Sequence, residues 1–104
     1  MPKTKALNTS SAPIGVFDSG IGGTSIWKEI QELLPKESSI YLADSKNSPY
    51  GTKSKEEIVR LCRKNTELLL LMGCKLVVVA CNTATTNAIG ILREEFDVPF
   101  IGIE

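Results

Sequence analysis

The chain has 104 residues and a mass of 11.3 kDa, enough for one domain or part of one. Hydrophobic residues (42 %) and charged residues (23 %) stand at globular levels, and twelve Lys and Arg balance twelve Asp and Glu, which argues against non-specific binding to nucleic acid or an anionic membrane. Histidine is absent altogether, which removes Ser-His-Asp and Cys-His catalysis and every His-containing metal site.

Residues 1–13, MPKTKALNTSSAP, carry Lys3 and Lys5 but no apolar signal-peptide core. They read as a disordered leader, with an organelle transit peptide as the alternative. Residues 14–104 read as one α/β domain. Ile14–Phe17 is a short apolar run closed by the turn Asp18-Ser-Gly-Ile-Gly-Gly23. Thr24–Leu34 then sets Ile26, Ile30, Leu33 and Leu34 at helical spacing, and Pro35 ends the pattern. Ser39–Ala43 is a second strand and runs into the polar loop Asp44–Thr52. Ser54 followed by Glu57 is a capping box that opens a helix. Its apolar stripe is Ile58, Leu61, Cys62, Leu69 and Met72, and Gly73 closes it. Leu76–Ala80 is apolar throughout and reads as a strand buried on both faces. A third helix spans about Thr83–Glu95, capped by Asn82 or Thr83. Val98–Ile103 is the last strand.

The order β-α-β-α-β-α-β predicts an open parallel β-sheet with flanking helices and right-handed crossovers. The pattern closes on a strand with no helix after it to cover the sheet, which suggests part of a larger unit. Cys62, Cys74 and Cys81 are odd in number and form no metal-type pair, so a reducing, cytoplasmic setting is expected. No apolar run is long enough to span a bilayer.

In open α/β sheets, ligands bind beyond the carboxyl ends of the strands. Cys81 lies there, between a buried strand and a helix start whose N–H groups and dipole favour a thiolate. The competing reading is a small core thiol. Cys62 and Cys74 read as core. Asp18 and Ser19 open a glycine turn that lacks both the dinucleotide fingerprint (Ser25 stands where the third glycine belongs) and the Gly-Lys-Ser/Thr of a P-loop. An Asp at the head of that turn repels phosphate, so a carboxylate or zwitterion is the better ligand; a plain strand–helix turn is the alternative. Asn82, Thr83 and Thr85 are small donors beside Cys81 that either bind a carboxylate or cap the helix. Tyr50 and Gly51, after Pro49, either close over a ligand or form an ordinary turn.

Three motifs together carry a resemblance. Asp18-Ser19-Gly20-Ile21-Gly22-Gly23-Thr24, Pro49-Tyr50-Gly51 and Val79-Ala80-Cys81-Asn82-Thr83-Ala84-Thr85 resemble the amino-terminal half of bacterial glutamate racemases, and Val98–Glu104 resembles the strand leading into that family's second half. The resemblance implies the first domain of a two-domain, cofactor-independent racemase that interconverts L- and D-glutamate for peptidoglycan, hence for cell wall and cell shape. It implies Cys81 as one of two acid/base thiols, Asp18 as its assistant, and Asp18, Ser19, Tyr50, Gly51, Asn82 and Thr83 as substrate-binding residues. It further implies no metal, no cofactor, and a homodimer at full length. The family's second cysteine, with its Thr-His neighbours, lies in a carboxyl-terminal half that this sequence does not contain. One copy of Cys81 cannot complete a two-base inversion, so the chain as given is expected to be inactive. The competing readings are an aspartate or related racemase, a non-catalytic carboxylate-binding half-domain, and a dimer that opposes two copies of Cys81.

Overall fold

A computed structural model describes residues 4–5, 11–20 and 23–103. Its central sheet has four parallel strands in the order β3-β2-β4-β6: β2 is Ile14–Asp18, β3 Ser39–Ala43, β4 Leu76–Val79 and β6 Phe100–Gly102. Helices α1 (Gly23–Leu33), α2 (Lys55–Leu71) and α3 (Asn82–Glu95) connect them, so the expected open parallel α/β sheet is what forms. Strand β2 lies between β3 and β4, with Val16 opposite both Tyr41 and Val78.

Alternation along the strands divides the core in two. Phe17, Val77 and Val79 face α2 and α3 in the larger cluster, which also holds Ile58, Leu61, Leu69 and Leu92. Ile14, Val16, Val78 and Ala80 face the other way, toward Ile26, Trp27 and Ile30 of α1. Strand β4 is therefore packed on both faces, as its uninterrupted apolar run requires.

Several boundaries differ from the sequence expectation. Within residues 1–13, read as a disordered leader, Thr4–Lys5 (β1) pairs in parallel with Phe96–Asp97 (β5), and Ala12 is buried. Residues 1–3 and 6–10 lie outside the described residues, so the rest of that expectation does too. The final strand (β6) is shorter than Val98–Ile103 because Pro99, which has no N–H to donate, precedes it, and Phe96–Asp97, just before the expected strand, pairs with β1 instead.

Met72 is 54 % exposed rather than part of the α2 stripe, and Leu33 and Leu34 are exposed at the end of α1. For Met72 the cause is where the helix ends. Helix α2 ends at Leu71 and Met72 is its cap, so the turn that carries Leu69 onto Gly15 of β2 is the last to reach the sheet. Gly73 takes a positive φ of 85° and closes α2 as expected. Ser54 accepts the Glu57 N–H at 3.2 Å, but the Glu57 carboxylate turns to Arg60, so only half of the capping box forms.

Candidate active site

The carboxyl ends of β3, β2 and β4 bring together Asp44, Asp18 and Cys81. Backbone hydrogen bonds continue across the rim: Asp44 N–H donates to Asp18 O at 3.1 Å and Ala80 N–H to Phe17 O at 2.8 Å. These bonds hold the residues that follow the strands in the spacing of the sheet itself, about 4.8 Å between neighbours.

Asp18 is fully buried. Its Oδ1 accepts the Gly20 N–H at 2.6 Å, and its Oδ2 accepts the Tyr41 hydroxyl. The carboxylate lies against the first residue of α1 so closely that a Cβ on Gly23 would fall 1.8 Å from Oδ2. Gly20, at φ 113°, brings the turn against the Ser45 backbone and so joins the loops after β2 and β3. Tyr41 is stacked on Trp27, with ring centroids 5.2 Å apart and planes 12° from parallel. Burial, followed by its bond to Asp18 and that residue's charge, pushes the Tyr41 phenol well above its ordinary range, which keeps it a donor.

Cys81 is half-buried and directs its thiol to Ser19 Oγ at 3.5 Å. It occupies the cap position of α3, where Asn82 or Thr83 was expected, and its side chain caps nothing. Only Ala80, whose N–H still bonds to Phe17 O, and Cys81 separate the strand from the helix. A helix start that its cap residue leaves without a side-chain acceptor offers N–H groups to an anion. Asn82 is exposed, with its Oδ1 accepting from Thr86 at 3.2 Å; Thr83 is half-buried and its carbonyl accepts from Asn87 at 2.8 Å. Thr85 turns inward, its hydroxyl donating to Val79 O at 3.3 Å.

Tyr50 is buried, and its hydroxyl donates to Asp44 Oδ2 at 2.5 Å while accepting from Asn65 Nδ2 at 3.0 Å. Its side chain therefore braces the loop against α2, which leaves the backbone and the open Gly51 at the surface. Cys62 and Cys74 are core thiols. Burial, then the negative charges of Cys81 and Asp44, push Cys62 up to about 12, and burial raises Cys74.

The structure thus brings Ser19 and Cys81 together, with Asp18 preceding Ser19 and turning its carboxylate to Gly20 and Tyr41, Asn82 and Thr83 on the adjoining helix turn and Gly51 on a neighbouring loop. Tyr41, Asp44 and Asn65 were not among the residues singled out in the sequence. Tyr41 was accessible in principle, because alternation in Ser39–Ala43 puts it on the α1 face beside the Val16–Asp18 side of β2. An open groove between α2 and α3, lined by Lys55, Glu56, Val59, Arg63 and Ile91, contains none of these residues.

In parallel α/β domains small molecules bind beyond the carboxyl ends of the strands, the rim on which Asp18 and Cys81 stand. No family model matches the chain. Glutamate racemase of Clostridium botulinum (strain Loch Maree / Type A3) is 54 % identical over 98 residues, which cover 94 % of this chain and 38 % of that protein. Glutamate racemase from Thermus thermophilus, solved in complex with beta-chloro-D-alanine, superposes with a TM-score of 0.85 at 43 % identity over 88 % of this chain and 36 % of that one. The Francisella tularensis enzyme in complex with D-glutamate gives 0.85 at 39 % identity, covering 90 % and 36 %. By sequence and by fold, the chain belongs to the glutamate racemase family. It spans little more than a third of the length of the curated relatives it matches.

Proposed function

We propose that this chain supplies one half of a cofactor-independent glutamate racemase site, and with it D-glutamate for peptidoglycan. The observation that carries the reading is Cys81 at the uncapped start of α3, 3.5 Å from Ser19 and one strand away from the buried Asp18. Cys81 as thiolate takes the Cα proton of glutamate and becomes the thiol, while the electron pair left on Cα spreads into the substrate carboxylate. Asn82 and Thr83, with the N–H groups of the first α3 turn, receive that carboxylate, whose charge grows as the proton leaves. Asp18 assists the thiol and meets the substrate ammonium; Ser19 and the Tyr50–Gly51 backbone complete the binding surface. Inversion needs a second acid on the opposite face of Cα, which Cys62 and Cys74, buried in the core, do not provide. The full-length protein is proposed to be a cytoplasmic homodimer; among the described residues no helix is long and apolar enough to cross a membrane.

Proton NMR of L-glutamate in D2O tests this reading, with circular dichroism as the check on folding. No racemisation is expected of one thiol; the activity left to it is slow loss of the Cα–H signal without D-glutamate, as deuterium returns to the same face, and Cys81→Ser is expected to abolish it. Loss accompanied by D-glutamate would show a second acid, supplied by self-association. Faster exchange on aspartate than on glutamate would overturn the substrate assignment, and no exchange by the folded chain would overturn independent activity.

A further inference from the structure

The racemase reading uses Asp18 but leaves open what holds its carboxylate. We propose that Tyr41 is a positioning residue for the reaction, fixing the Asp18 carboxylate at the rim through its hydroxyl; this rests on the reading of the site given above. The register explains how it reaches. Tyr41 stands opposite Val16 and Ala43 opposite Asp18, so Tyr41 and Asp18 share the α1 face and lie on a diagonal across β3 and β2. Its ring is stacked on Trp27, whose Nε1–H donates to Ser39 Oγ at 2.9 Å. Helix, strand and indole therefore restrict the phenol, and its hydroxyl ends on Asp18 Oδ2 while the Gly20 N–H occupies Oδ1.

A carboxylate held at both oxygens keeps one orientation, and that orientation decides which lone pairs remain for the substrate or the thiol. A phenol suits this role better than a cation, because it fixes the carboxylate without cancelling the charge that must face an ammonium group. Stacking on Trp27 alone would be served by phenylalanine. What distinguishes Tyr41 is the hydroxyl.

The test is Tyr41→Phe in this chain, which keeps a ring on Trp27 and so preserves both packing and local ring currents. With circular dichroism unchanged, the Gly20 amide proton is expected to move upfield in a 1H–15N spectrum as the Asp18 carboxylate turns and its bond to Gly20 lengthens. Cα–H exchange of glutamate is expected to slow roughly tenfold, with KM changed less than twofold. In an Asp18→Asn background, followed over days, the same substitution is expected to change the residual rate less than twofold. An unmoved Gly20 amide overturns the proposal, and so does equal slowing in both backgrounds, which would mean Tyr41 acts through the fold. If the unmodified chain exchanges nothing, independent activity fails on its own account, and the Gly20 amide alone decides whether Tyr41 positions Asp18.

Discussion

The three cysteines of this chain share one chemistry and sit in three environments, and that contrast is where the site becomes testable residue by residue. Cys81 is half-buried on the strand rim; Cys62 and Cys74 are enclosed by α2, β2 and the turn after α2. Alkylation by iodoacetamide at pH 8 is expected to label Cys81 at least tenfold faster than the other two, as read by peptide mass spectrometry. Equal labelling of Cys62 in the folded protein would contradict the burial that raises it. The same shift has a pH signature. Cys62 titrates near 9 when unfolded and near 12 when folded, so between these values the unfolded chain has lost a proton that the folded chain keeps. Its stabilising contribution is complete below pH 9 and declines as pH rises toward 12. Tyr41 and Tyr50, also raised, steepen that decline above pH 10. A melting temperature that falls from pH 9 upward, less steeply in Cys62→Ala, is the expected record. At this scale the sequence was informative wherever a residue's position along the chain decided its role: Cys81 between strand and helix, Asp18 at the head of a glycine turn. Tyr41 was not legible in the same way, because alternation gives its face but not its diagonal reach to a residue on another strand.

Among the elements, the alternation of strands and helices was readable because each boundary carries its own chemistry: Pro35 after α1, Gly73 after α2, Ser54 before it. The departures arise where tertiary geometry competes with local preference. Met72 continues the α2 stripe in sequence, yet the helix ends at Leu71 and leaves it as an exposed cap. Asn82 is the better capping residue by propensity, yet the ladder bond at Ala80 leaves so short a link that Cys81 takes the cap position and Asn82 is already helical. Two glycines of opposite function make the packing of α3 measurable. Gly90 lies in the helix with no heavy atom within 4 Å of where a Cβ would stand, so Gly90→Ala is expected to stabilise the chain by about 0.5–1 kcal/mol. Gly102 on β6 leaves no such room: its Cβ would come within 2.5 Å of Thr85 Cγ2 and 2.6 Å of Ile89 Cδ1. Gly102→Ala is expected to cost about 1–3 kcal/mol, because α3 must move off the sheet to admit a methyl group. Urea midpoints for the two variants should fall on opposite sides of the parent, and a neutral Gly102→Ala would show that α3 and β6 are not in contact.

For the whole molecule the decisive feature is an uneven core. Among the described residues, the face under α2 and α3 gathers sixteen buried residues and the face under α1 four. Helix α1 packs on β2 and β3 and reaches Val78 of β4, and Ala80 just after it, through Ile26, Trp27 and Ile30, which leaves β6 at the margin of that face. Ile101, opposite Val78 on this face, is 48 % exposed, and β6 pairs on one side alone. An apolar strand edge beside an apolar face is a template for association between chains, and its cost grows with concentration. Thermal unfolding followed by light scattering is therefore expected to show a transition whose midpoint falls as concentration rises, with poor recovery on cooling. Ile101→Lys puts a charge on the exposed position without touching the larger core, and should reduce scattering severalfold while the far-UV spectrum stays the same. If the parent chain instead unfolds sharply, reversibly and independently of concentration, the exposed margin is not a liability. The larger cluster under α2 and α3 would then be sufficient to hold the rim on which Asp18 and Cys81 meet.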